Sequence, residues 1–400
     1  MAKELLTAAD ELLGPAIDLR RRLHAHPEVG LDLPETQQMV LEALAGLGLE
    51  ISTGVATTSV IAVLEGGRPG PTTLLRGDMD ALPMPEDTGL EFASKVDGAM
   101  HACGHDAHVA MLVGAAHLLA GRKGEVPGRV VFMFQPGEEG HGGAPLMLDE
   151  GLLEFHGPFD RAFAIHLHPV WPSGWVYTRA GAFLASSDEF RVTVRGAGGH
   201  ASTPNEAIDP VPVACELVTS LQTMVTRRVP IFDPTVLTVS RISAGTTFNV
   251  IPETAVVDGT VRAVSEATRT LVFENLSRVA RHIAEAHLCE AEIETTFDGE
   301  PHDDLPVGYP VTVNNAAAAE RTLEAARTIV GDDRVVRMSS PLMGAEDWSY
   351  ILERVPGSMA FLGAAPPGVV RPAPNHSNRM VIDEPAMAVG IALHAAMALN

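Results

Sequence analysis

Arg129-Val130-Val131-Phe132-Met133-Phe134 runs directly into Gln135-Pro136-Gly137-Glu138-Glu139-Gly140. An unbroken apolar run closed by Pro-Gly reads as a strand buried on both faces, as parallel sheets require. It delivers two adjacent acids at its end. The arrangement recurs. Thr72-Thr73-Leu74-Leu75-Arg76 leads to Gly77-Asp78-Met79-Asp80, and Arg161-Ala162-Phe163-Ala164-Ile165 leads to His166-Leu167-His168-Pro169. Open α/β sheets take their ligands just beyond the C-terminal ends of their strands. A further donor-rich stretch, Met100-His101-Ala102-Cys103-Gly104-His105-Asp106-Ala107-His108, opens an apolar helix expected over 107–120. The expected fold is α/β, with a mostly parallel central sheet flanked by helices.

Outward from these strands, residues 4–26 have the spacing of an amphipathic helix that Pro27 ends, and 35–47 a second helix closed by Gly46 and Gly48. Residues 59–64 add a strand. The pattern changes near Ser186. Residues 189–195 alternate apolar and polar; a helix over 209–225, strands over 235–242 and 255–264, a helix over 268–288 and a strand over 291–297 follow. That is βαββαβ, a ferredoxin-like layout with two helices on one sheet face. Residues 186–300 therefore read as an inserted small domain, and 1–185 with 301–400 as the large one. In the latter a helix over 316–330, a strand over 359–362 and a helix from 384 complete the chain. Four hundred residues exceed what one core usually holds, in keeping with two domains.

The net charge of -23 argues against nucleic acid and anionic membrane as partners, because both call for Lys and Arg in excess. Met1-Ala2-Lys3-Glu4-Leu5-Leu6 lacks the layout of a secretory signal, and no apolar run approaches the ~18 residues that span a bilayer. Three scattered cysteines build no disulfide framework. A cytoplasmic location is the expectation. Cys215 and Cys289 read as buried thiols outside any chemistry, and His24 and His26 as structural.

Cys103 and His105 flank Gly104, so a turn there lets both donors converge. Zinc takes thiolate and imidazole together, and manganese or cobalt accepts the same nitrogens beside carboxylates. Of Glu138 and Glu139, one carboxylate can bind a cation while its neighbour takes a proton from water, whose pKa a metal lowers towards ~7.

Taken together, several stretches resemble the aminoacylase/carboxypeptidase family of di-metal peptidases. They are Leu23-His24-Ala25-His26-Pro27-Glu28, Arg76-Gly77-Asp78-Met79-Asp80-Ala81-Leu82-Pro83, His101-Ala102-Cys103-Gly104-His105-Asp106 and Gln135-Pro136-Gly137-Glu138-Glu139. His166, Gly198-Gly199-His200-Ala201, Asn249-Val250-Ile251-Pro252, Glu346-Asp347 and Asn375-His376 continue the match. The nearest likeness is to the amidohydrolase branch, which includes hippurate hydrolases and indole-acetyl-amino-acid hydrolases.

The resemblance implies that Cys103, His105, Glu139, His166 and His376 hold two divalent ions (zinc or manganese, with cobalt or nickel also suited) and that Glu138 is the acid/base. The wider family has His-x-Asp where this chain has Asp78-Met79-Asp80. Asp78 is thus not expected as a ligand, and Asp80 is expected to orient one. The resemblance further implies that the inserted domain forms a homodimer or homotetramer, and that its His200 reaches the partner's active site to steady an oxyanion. It also implies that Asn249, and less strongly Arg262, meet the substrate carboxylate. The implied activity is hydrolysis of N-acyl amino acids. The rivals are a metallo-exopeptidase with the same chemistry, a thiol amidohydrolase with Cys103 as nucleophile activated by His105, and a non-catalytic binding protein.

Overall fold

The computed structural model describes residues 2–297, 300–302 and 307–400. They form two compact units. The first comprises Met1–Phe183, Val313–Ser340 and Asp347–Asn400; the second comprises Leu184–Thr312 and Pro341–Glu346. The domain boundary expected at residue 300 falls where 298, 299 and 303–306 lie outside the described residues.

The first unit is built on an eight-stranded sheet. In spatial order its strands are Glu50–Thr53, Val60–Glu65, Pro127–Gln135, Arg68–Asp78, Arg161–His168, Gly357–Gly363, Val176–Thr178 and Val335–Arg337. The middle four are mutually parallel. Antiparallel pairings flank them on both sides, and the last two strands are again parallel. Every residue from Val130 to Phe134 is buried, as a strand covered on both faces demands.

Helices Ala2–Ala25, Pro34–Leu44, His105–Gly121, Ala316–Val330 and Met387–Leu399 contribute to the main core beside this sheet. His105–Gly121 is packed on nearly every side, including against Ala2–Ala25 and Met387–Leu399. Each fully buried Leu, Ile or Met of this core contributes about 1.5–3 kcal/mol. The packing therefore makes a rigid base for the helix mouth that carries Cys103 and His105.

The second unit holds a five-stranded antiparallel sheet, ordered Thr235–Ala244, Thr254–Ala263, Asp188–Arg195, Glu290–Phe297, Glu300–His302. With helices Pro210–Arg228 and Glu266–Ala286 this is the βαββαβ order of a ferredoxin-like sheet. Thr254–Ala263 alternates strictly, and Ala255, Val257 and Val261 face a core shared with Leu217, Leu221, Val272 and Leu276. Asp209 and Ser265 cap the two helices, each side chain accepting a backbone N–H.

Cys289 is buried, but Cys215 is exposed, contrary to its sequence reading. Ala214 and Leu217 take the core-facing stripe of that helix, and position 215 turns about 100° away from Ala214. Among the described residues no helix is long and apolar enough to cross a membrane.

Candidate metal centre

Two glycines shape the backbone where the donors gather. Gly104 has φ +91° immediately before helix His105–Gly121, so the chain turns sharply between Cys103 and His105. Gly137 has φ +70°, and a Cβ there would stand 2.4 Å from Leu31. Only glycine fits this turn without displacing its neighbour. The turn carries Glu138 and Glu139 back over the end of strand Arg68–Asp78.

Asp80 pins it. One carboxylate oxygen accepts the Glu138 N–H and the other the Glu139 N–H, both at 3.0 Å. On the opposite side, the Asn375 amide donates to the Cys103 carbonyl at 3.0 Å, and the His376 N–H to the Ala102 carbonyl at 2.8 Å. These bonds hold His376, at φ +64°, against a segment far away in sequence. Position-specific strain of this kind persists only where surrounding contacts impose it.

The result is one continuous cluster. Cys103 Sγ lies 3.4 Å from His166 Nε2, and Glu139 Oε1 lies 3.3 Å from His376 Nε2. His105 Nε2 stands 3.9 Å from Glu138 Oε2 and from Glu139 Oε1. Asp78/His105/His108 form one triad with donor atoms within 4.8 Å of one another, and Asp347 lies equally near Glu138. Three overlapping triads drawn from the residues read as ligands and acid/base meet the same limit: Cys103/His105/His166, Cys103/Glu139/His376 and His105/Glu138/Glu139. Cys103, His105 and Glu139 are each shared between two of them. The five residues read as ligands and the candidate acid/base are thus brought together.

Hydrogen bonds assign the ring nitrogens. His105 donates from Nδ1 to the Asp80 carbonyl at 2.9 Å, and His166 from Nδ1 to the Leu167 carbonyl at 2.7 Å. Each ring then turns Nε2 toward the cluster, as metal-ligating imidazoles do. His105 Nε2 is buried and makes no hydrogen bond. A buried nitrogen left so is costly, and a cation would supply the missing partner. Imidazole, thiolate and carboxylate donors in such proximity fit one or two borderline-soft divalent ions. His108, by contrast, uses both nitrogens, giving a proton to Asp78 and accepting the Leu167 N–H, so it has no lone pair to offer.

The electrostatics point the same way. Hydrogen bonding to Cys103 and Glu139 pushes His376 up to about 10 against the effect of burial. Burial disfavours a charged His105, but Asp78 and Cys103 outweigh it and raise the group well above the usual imidazole range. His166 goes the other way, held neutral by burial and by neighbouring His108. Burial also pushes the Cys103 thiol up, and Glu139 adds to it. The cluster favours positive charge at His105 and His376, the charge a metal would bring.

Asp78 is not hydrogen-bonded to the cluster, yet its Oδ2 stands 3.5 Å from His105 Nε2. Burial opposes its ionisation, and Arg76, His105 and His108 overcome that and hold it well below the usual carboxylate range. His24 pairs with Asp106 at 2.7 Å inside the core, and His26 is half-buried beside Glu35, so neither joins the cluster. His168 stacks on Trp171, ring centroids 3.7 Å apart.

His200, Asn249 and Arg262 belong to the second unit. His200 is exposed, its Nδ1 accepting the Ser202 N–H at 3.1 Å; Asn249 is exposed and Arg262 half-buried on its strand. Asn375, Arg76, Gln135 and Asp347 received no part from sequence, although all four bond to or around the cluster. For Arg76 a signal existed: period two places it on the same strand face as Asp78.

The sequence profile of peptidase family M20/M25/M40 matches residues 74–400. Thermostable carboxypeptidase 1 of Saccharolobus solfataricus is 36% identical over 387 residues, covering 96% of this chain and 94% of that protein. IAA-amino acid hydrolase ILR1-like 2 of Arabidopsis thaliana is 38% identical over 385 residues, covering 96% and 84%. Among solved structures, the Bacillus subtilis YXEP protein, described as a dinuclear metal binding peptidase of the M20 family, is similar at a TM-score of 0.83. It shares 33% identity and covers 98% of both chains.

Proposed function

The chain belongs to peptidase family M20/M25/M40, and from that membership we propose that it cleaves the amide bond of N-acyl amino acids to a carboxylate and a free amino acid. Metal-dependent amide hydrolysis is common ground for the family and its relatives. The observation that carries hydrolysis at a cation centre is the convergence of Cys103, His105, Glu139, His166 and His376 beside Glu138, and the IAA-amino acid hydrolase relative favours an acyl-amino acid as its substrate.

Those five residues would hold two divalent ions, a reading supported by the dinuclear neighbour. Bound there, the cations supply Lewis acidity and lower the pKa of water. The thiolate of Cys103 favours zinc, while the nitrogen and carboxylate donors also suit manganese, cobalt or nickel. Glu138 takes a proton from the attacking water as its oxygen bonds to the acyl carbon. As the C–N bond breaks, Glu138 returns that proton to the leaving nitrogen. Asp80 keeps Glu138 and Glu139 in register through their backbone N–H groups, so one acid can face a cation while its neighbour moves protons. His200 steadies the developing oxyanion in a partner subunit's site, and Asn249 is the first candidate to meet the substrate carboxylate, with Arg262 the weaker one.

Self-association through the second unit, as a homodimer or homotetramer, is part of the proposal. Thr235–Ala244 is an end strand of its sheet, and exposed Ile231, Phe232, Val236 and Ile242 lie on or next to it. A reducing cytoplasm suits a cluster whose Cys103 must stay unoxidised to serve as a ligand.

The carboxypeptidase relative favours a second reading, an exopeptidase of the same chemistry. Assay of N-acetyl, N-benzoyl and indole-acetyl amino acids beside a dipeptide panel separates them. Preference for acyl-amino acids by a metal-loaded, chelator-sensitive enzyme supports the first reading, and preference for dipeptides overturns it. A Cys103 nucleophile is disfavoured because burial pushes its thiol up, opposite to activation. Activity that survives chelation but not alkylation would reinstate it.

A further inference from the structure

Behind the cluster runs a buried polar chain that the proposed chemistry does not use. Arg76 is 1% exposed, and Asp78 and Asp347 are 0% exposed. The Arg76 guanidinium donates from Nε to Gln135 Oε1 at 2.9 Å, from Nη1 to Asp78 Oδ2 at 2.7 Å and from Nη2 to Asp347 Oδ1 at 3.1 Å. Asp347 also accepts the Gln135 amide at 2.7 Å and the Ala144 N–H at 2.8 Å. Asp78 spends its other oxygen on the Nδ1 proton of His108 at 2.6 Å. His108 Nε2 in turn accepts the Leu167 N–H at 2.8 Å, and the Leu167 carbonyl takes the Nδ1 proton of His166 at 2.7 Å. Hydrogen bonds thus link Asp347 to the Leu167 N–H, and the backbone of Leu167 connects that group to the carbonyl that holds the His166 ring.

Two features set this series apart from ordinary core polarity. A buried ion pair is a poor way to gain stability, because well-packed apolar residues do as well or better. This one sets two carboxylates on one guanidinium, and the Asp78 oxygen that accepts Arg76 Nη1 also stands 3.5 Å from His105 Nε2. The series also approaches the cluster at three points: Asp78 beside His105, Asp347 with a carboxylate oxygen within 4.8 Å of one of Glu138, and His166 through the Leu167 backbone.

We propose that Asp347, Arg76, Asp78 and His108 form a positioning relay that locks the His166 ring and places a negative charge behind His105, raising cation affinity without any member binding cation or substrate. It rests on the reading of Cys103, His105, Glu139, His166 and His376 as cation holders. Asp78 takes the role of a charge set just outside the ligands, and His108 that of a spacer whose fixed tautomer passes the geometry on. Removing the Asp78 charge leaves the shape of the site but weakens its hold on the ion. Outer partners of this kind change metal affinity by about 10–100-fold.

The test uses the full-length protein, stripped of metal and titrated with zinc and with manganese by calorimetry, with circular dichroism and metal-free melting as controls for folding. Asp78→Asn keeps the size of the side chain and loses its charge; about tenfold weaker cation binding is expected, with kcat reduced and KM little changed. Asp347→Asn, which leaves the Asp78 charge beside His105 in place, is run beside it and should weaken cation binding less than Asp78→Asn does. Restoring the charge as Asp78→Glu should recover part of the affinity. Cation binding equal to wild type in whichever of the two Asn variants folds overturns the relay while leaving the hydrolase reading intact. A wild-type protein that takes up no divalent cation overturns both.

Discussion

His105 gives its Nδ1 proton to the carbonyl oxygen of Asp80 at 2.9 Å, and the carboxylate of the same Asp80 receives the Glu138 and Glu139 N–H groups at 3.0 Å. A single residue at the end of the central strand therefore sets the tautomer of one candidate ligand through its backbone. Through its side chain it sets the position of the acid pair. The expectation that Asp80 orients a ligand was too narrow, since the acid turn depends on it as well.

Asp80→Ala should accordingly damage more than one property. Two buried backbone donors lose a charged acceptor, a cost on the order of 3 kcal/mol. Cation affinity should fall about 10–100-fold because the Glu139 carboxylate is no longer held toward His376. Chemical denaturation together with metal titration checks both. A variant with wild-type stability and uptake would show that the turn holds itself.

Glu138→Gln isolates the proton-transfer step. The amide nearly matches the shape of the acid but cannot take a proton, so kcat should drop by about 10²–10⁴-fold. Metal content should remain near wild type, because the candidate ligands are untouched. Retention of most of the rate would remove Glu138 from the role of acid/base.

Protons and cations compete for His376. In the cation-free protein its group is raised to about 10 from an ordinary value near 6.5, by hydrogen bonding to Cys103 and Glu139. The raised group contributes stability fully below the unfolded value of about 6.5, and that contribution fades as pH climbs to about 10. Cation uptake expels the same proton, so affinity should rise with pH between about 6 and about 8. Calorimetry in buffers of different ionisation enthalpy should register proton release. Affinity flat across that interval would mean that His376 is not displaced.

The central strands were readable because they are buried on both faces, and Val130 to Phe134 shows it as an uninterrupted apolar run. The edges were not. Glu50–Thr53 is exposed at every residue, with no burial pattern to betray a strand, and Val176–Thr178 and Val335–Arg337 are too short for periodicity. In the candidate site, donor type carried the signal for Cys103, His105, Glu138 and Glu139. The partners that orient them act through peptide groups or through contacts between distant segments, as Asn375 does on Cys103. Asp78 is not expected as a ligand because it stands where the resembled family has a His. Its position 3.5 Å behind His105 follows from strand register and from the pull of Arg76, which residue type alone does not encode.

The second unit offers a stability test independent of any metal. Asp188, fully buried on the first strand of the ferredoxin-like sheet, accepts Arg269 Nε at 2.9 Å and Nη2 at 2.7 Å, and also the Gly308 N–H at 3.1 Å. Arg269 Nη2 reaches the Gly308 carbonyl as well, so the pair ties strand, helix and the segment after the sheet together. Arg269→Met removes one charge and leaves the other buried without its counter-ion, which typically costs about 3–5 kcal/mol. Asp188→Asn with Arg269→Met removes both charges and should recover part of that loss, because the penalty comes from the unpaired carboxylate rather than from the missing bond. Denaturant melts of the two variants measure the difference. Equal destabilisation in the single and double variants would mean that packing of the arginine stem, not charge pairing, secures this joint.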